Sequence, residues 1–170
     1  AATMVRYDTT NGVVPLNLTT DYSTTNPLLI GTAPTTNYRL ASANNTFGSV
    51  NNNIAVNSLL METPTSATFG SALFGNGTLT LTSGTIVSSL VGGTTQPSMT
   101  GAFIGINVAL GGSTGYFHAQ GNLHVQGNIT GSGGLVKSGT GLMVLNGDNS
   151  GLTGGFTINA GNVFFSTDNN

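Results

Sequence analysis

Asp8, Asp21, Glu62, Asp148 and Asp168 are the only carboxylates in this 170-residue chain. With His118, His124, Arg6, Arg39 and Lys137 they are the side chains that could carry acid, base or ligand chemistry. Cleaving a glycosidic bond needs two carboxyl groups facing one another, and proton transfer needs a positioned acid or base. No two of the five acids are close in sequence. Asp148 and Asp168 are separated by a step that recurs elsewhere in the chain, and they could stack on adjacent turns of a repeat. The plainer role for both is to cap corner turns through their own backbone. His118 and His124 flank the turn Gln120-Gly121-Asn122 and could converge on a metal, but no third zinc ligand follows. A glycine-glycine-x-glycine-x-aspartate calcium repeat is absent. Gly131-Ser132-Gly133-Gly134 lacks the following helix and lysine of a phosphate loop. The expectation is therefore a non-enzymatic protein with no catalytic, cofactor or metal residue.

Composition points the same way. The chain holds 26 Gly, 27 Thr, 20 Asn and 15 Ser against eight acidic or basic side chains, so solubility rests on hydroxyls and amides. A hydrophobic content of 38% is too high for an unfolded polar linker. Three cations and a net charge of −2 cannot track a phosphate backbone or an anionic membrane surface, and no apolar run approaches the roughly 20 residues needed to span a bilayer, which argues against nucleic acid and against membrane insertion by this segment. The absence of cysteine rules out disulfides and points to stacked strands as the stabilising device of an exported chain.

The elements that would position these residues are strands. Gly77 to Thr82 alternates strictly, with Leu79 and Leu81 on one face and threonines on the other. Ile104, Ile106, Val108 and Leu110 are read as one face, followed by Leu123 and Val125, Met143 and Leu145, and Val163 and Phe165. Leu59 to Leu79, Leu123 to Met143 and Met143 to Val163 are all the same step along the chain. A β-rich, glycine-punctuated period of this length predicts an all-β solenoid, a β-helix with about 20 residues per rung. Such a rung cannot bury its apolar face alone and depends on its neighbours. Gly and Asn suit the corners.

Residues 1–45 differ, holding Pro15, Pro27, Pro34, Tyr7, Tyr22, Tyr38 and both arginines. They are expected to be irregular or edge-covering, leading into a solenoid over residues 46–170 with a loop insertion near 91–100. The chain stops straight after a strand near Phe165, which reads as a segment cut from something longer or continued by a neighbour.

The run from Gly133 to Val163 resembles the autotransporter-associated β-strand repeat, or passenger-associated transport repeat, of bacterial surface proteins. The matching positions are Gly133, Gly134, Leu135, Lys137, Gly139, Gly141, Gly147, Asn149, Thr153, Gly154, Gly155, Ile158, Asn159, Ala160 and Gly161. Residues 57–83 look like the units that often precede it. The resemblance implies a right-handed parallel β-helix, exported through the bacterial envelope as part of a long passenger or fibre. Where the pattern usually places outward threonine, this chain has Leu142 and Val144, and Phe164 shares that outward phase. These three are candidate protein–protein contacts, since grouped exposed apolar residues mark interfaces.

Two functions follow as expectations. The first is a structural extracellular module that builds a surface fibre, matrix or layer by end-to-end or lateral association of solenoids, either as a homopolymer or as repeats of one long chain. The second is a segment of an autotransporter adhesin passenger that presents side loops to a glycan or host receptor. Either places the chain outside the cell, at a bacterial surface.

Overall fold

The computed structural model describes residues 4–24, 32–41, 47–64, 70–91 and 101–166. The described residues are all-β and contain no helix. An antiparallel hairpin comes first, β1 (Val5–Asp8) with β2 (Gly12–Pro15). Gly12, at φ 73°, closes its turn in a conformation that a side chain would strain.

Two parallel sheets follow. The eight-stranded sheet contains β3 (Ala33–Ala41), β5 (Ile54–Pro64), β7 (Thr78–Val91), β10 (Gly115–Ala119), β13 (Leu135–Ser138) and β15 (Phe156–Ile158), paired in that order. It is completed by β9 (Asn107–Ala109) and β12 (Ile129–Thr130), which extend from the first part of β7. The six-stranded sheet contains β4 (Phe47–Val50), β6 (Ser71–Gly75), β8 (Gly101–Ile104), β11 (Leu123–Val125), β14 (Leu142–Leu145) and β16 (Asn162–Phe165), also in chain order. The chain alternates between the sheets, and successive passes add strands at the same end.

One core fills the space between them. On the large sheet, Tyr38, Leu59, Ile86, Phe117, Lys137 and Ile158 form one lateral row. On the small sheet, Leu73, Phe103, Val125, Leu145 and Phe165 form another. Each row points inward, as alternation along a strand requires, and the rows meet in a single apolar cluster. A second, smaller cluster lies outside the large sheet, where Leu16 and Tyr22 cover Leu60 and Val87.

The structure corrects the expected fold. A right-handed parallel β-helix with about 20 residues per rung gives way to two parallel sheets of eight and six strands, preceded by an antiparallel hairpin. No single repeat length describes the pairing. Leu123 lies beside Met143 at the expected period, but Thr85 lies beside Tyr116, a step half as long again. Leu59 pairs with Ile86, and Leu79 with Ile54 and Val108, so the apparent repeat from Leu59 to Leu79 joins residues of different rows. The physical reason is strand length. β5 has 11 residues and β7 has 14, both running through a bend where the register shifts between Val56 and Ser58. Ile104 also departs from the face read for it: Phe103 is buried, Ile104 is partly exposed, and Gly105 at φ 74° turns the chain before Ile106 re-enters the core.

Residues 4–24 and 32–41 are strongly structured. Leu16 N–H donates to the Met4 carbonyl (2.8 Å), Ser23 pairs with the edge of β3, and β3 itself belongs to the large sheet. The loop expected near 91–100 lies, apart from Val91, outside the described residues.

Candidate functional site

Asparagine and glycine make the close stacking of successive passes possible. The Asn107 side-chain oxygen accepts the Asn128 N–H (3.0 Å), and Asn128 accepts the Asp148 N–H (2.9 Å). In a parallel column Asn122 accepts the Leu142 N–H (3.2 Å). Asn149 is buried; it accepts the Ile129 N–H (2.9 Å) and donates to the Gly147 carbonyl (2.9 Å). Backbones approach so closely at the corners that a methyl group on Gly141 or Gly147 would run into the carbonyl oxygen of Gly121 or Gly127. Gly133, Gly134, Gly139, Gly154 and Gly161 are similarly crowded against neighbouring backbone, whereas Gly155 is open.

Lys137 is the exception to a polar exterior. Its side chain is fully buried in an inward row between Phe117 and Ile158, and the ammonium donates to the carbonyls of Ser138 (3.0 Å), Gly139 (2.7 Å) and Ala160 (2.9 Å). Burial pushes its pKa below the ordinary lysine value. The alternation Leu135-x-Lys137 was the available signal for this inward position.

Among the described residues the acids and histidines do not converge. Asp148 accepts the Ser150 N–H (3.0 Å), and hydrogen bonding from Ser150 holds its carboxyl below the usual carboxylate range. Asp168, its expected stacking partner, lies outside the described residues. Glu62 takes a 2.7 Å ion pair from Arg39, a pairing that lateral register creates between distant residues and that sequence reading missed. His118 is on β10 of the large sheet, with Nδ1 3.1 Å from Ser138 Oγ, whereas His124 is on β11 of the small one. Burial, with the nearby Lys137 charge, pushes the His118 pKa down. No group of three metal-ligating side chains occurs among the described residues.

The three candidate contact residues share the outer face of the small sheet near its last strand. Val144 stacks laterally between His124 and Phe164. Leu142 is half-buried and Val144 is only 8% exposed, whereas Phe164 is 55% exposed. A separate apolar surface lies on the inward side of the same strand. β15 and β16 are the last strands of their sheets, each paired on one side only among the described residues. Ile158 and Phe165, which end the two inward rows, are 50% and 42% exposed. Phe156 meets Phe165 edge to face at 5.8 Å. Beside them opens a depression of about 220 Å³ lined by Leu145, Asn149, Leu152, Gly155, Phe156 and Phe165. Of the repeat-motif positions, Ile158, Asn159, Gly154, Gly155 and Gly161 thus lie at an exposed end, and Asn149 lines its depression.

Such an end offers strand edges and a concave apolar surface, the two features that another β-sheet needs in order to add on. Comparison with protein-family models, with curated proteins and with solved structures finds no match to this chain.

Proposed function

We propose that this protein is a structural, non-enzymatic module of an extracellular fibre, matrix or surface layer, and that it associates through the end formed by β15 and β16. The observation that carries this reading is the exposure of residues that belong, by row, to the core: Ile158 and Phe165 continue the buried rows that run through Phe117 and Leu145. Further β-structure of the same kind, in a second copy or in a longer stretch of the same polypeptide, would complete both sheets and fill the depression beside Phe156. Low charge and absent cysteine support an exported setting at a bacterial surface, as does the repeat-like run from Gly133 to Val163.

Analytical ultracentrifugation of the 170-residue chain at micromolar concentration tests the reading. Self-association is expected, and Phe165→Asp together with Phe164→Ser is expected to abolish it while leaving β-content intact. Monodisperse monomers would overturn association between copies of this chain, and assembly unchanged by the double substitution would overturn the role of this end.

A further inference from the structure

The outer face of the large sheet carries a second feature, independent of the assembly reading. Between it and the N-terminal segment lies a cleft of about 520 Å³, within the size range of ligand-binding clefts. Met4 and Leu16 line it from the N-terminal side. Opposite them, Asn37, Ser58, Thr85 and Tyr116 form one lateral row across β3, β5, β7 and β10. Three inter-strand steps span roughly 14 Å, enough for a short linear ligand laid across the strands.

The polar groups of this row are already oriented. Ser58 Oγ donates to Asn37 Oδ1 (2.7 Å), Asn37 Nδ2 donates to the Asp21 carbonyl (3.2 Å), and Thr85 Oγ1 donates to the Ser83 carbonyl (3.2 Å). Asn37 Oδ1 also accepts from Asn57 Nδ2 (2.8 Å), so both of its lone pairs are taken, and what the row turns to a ligand is the second Asn37 N–H and the Thr85 hydroxyl oxygen. A partner must therefore bring groups that both donate and accept, as hydroxyls do. An anion brings only acceptors and finds no cation among the described lining residues, because burial and the Lys137 charge hold the His118 imidazole toward its neutral form. A purely apolar ligand would cover the second Asn37 N–H and the Thr85 oxygen without giving them new partners. Tyr116 ends the row, 54% exposed, and supplies a flat ring on which an apolar face can rest.

We propose that this cleft binds a neutral oligosaccharide, with a sugar ring against Tyr116 and its hydroxyls accepting from the Asn37 amide and donating to the Thr85 hydroxyl. Affinity electrophoresis in native gels tests it, using laminarin, xyloglucan, dextran and hydroxyethylcellulose as neutral polymers and alginate as the anionic one. At least one neutral polymer is expected to retard the protein and alginate is not. Tyr116→Ala should weaken the retarding interaction about tenfold, the loss of an anchoring aromatic, whereas Tyr116→Phe should retain most of it. Phe164→Ser, at the far end of the molecule, should leave it unchanged, and circular dichroism would establish that each variant is folded. Retardation by no neutral polymer, equal retardation by alginate, or full binding by Tyr116→Ala would overturn the proposal.

Discussion

The inward row of the large sheet begins at Tyr38 and finishes at Ile158, and the two termini of that one row are treated differently. Tyr38 is 1% exposed, and its strand β3 is closed off on the outer edge: Ser23 donates to the Asn37 carbonyl (2.8 Å) and accepts from the Arg39 N–H (3.0 Å). Pro34, which has no N–H to offer, and a register shift between Ala33 and Asn37 interrupt the same strand. Ile158 has no such cover among the described residues, and its strand is paired there on one side only. Edge strands are normally blunted by these devices because an open edge templates pairing. Among the described residues one end of the large sheet is thus covered and the other open, so under the proposed assembly growth is expected to be polar, from β15 and β16 outward.

The largest expected effect tests this contrast directly. Tyr38→Ala should cost about 3–5 kcal/mol in urea unfolding, as for a large buried aromatic side chain, whereas Ile158→Ala should cost less than about 1 kcal/mol in the unassembled chain, where little burial is lost. Equal costs would mean that the two ends are equally covered in solution. Next comes Lys137→Met, which leaves the Ser138, Gly139 and Ala160 carbonyls without their ammonium and should cost about 1–3 kcal/mol at neutral pH. Its pH signature has a definite sign. Burial lowers the folded-state pKa, so between that value and the ordinary 10.5 the unfolded chain binds the proton more tightly, and stability rises with pH across the window. Lys137→Met should remove that rise; a wild-type stability flat or falling over the same range would contradict the burial of the charge. The smallest effect belongs to Asp148. With its folded pKa lowered by Ser150, its contribution is present above the ordinary carboxylate value and lost as pH falls through the folded one. NMR titration should place its midpoint below that of Asp148 in Ser150→Pro, which lacks the donating N–H.

Much of the core face was legible from alternation. Leu79 and Leu81, Leu123 and Val125, and Met143 and Leu145 are all buried as their spacing implies. Register was not legible, because alternation assigns a residue to a face without saying which strand it lies beside. Near the end of the chain the spacing is regular, so Leu123, Met143 and Val163 stack at equal steps; through β5 and β7 the long bent strands lengthen the step, as in Ile54 beside Leu79. The cleft was harder still to foresee. Asn37, Ser58, Thr85 and Tyr116 are unremarkable singly and become a row only once irregular offsets bring them together. Of the outer apolar residues, Val144 illustrates a further limit: phase places it outward, yet packing covers it.

The burial of Lys137 has a consequence for resistance to proteolysis. Peptidases of trypsin-like specificity cut after lysine or arginine, and beyond Arg39 this is the single residue of either type in the remaining sequence. With its side chain sealed between Phe117 and Ile158, those enzymes meet no accessible cleavage point across both sheets from β4 onward unless the stack first opens.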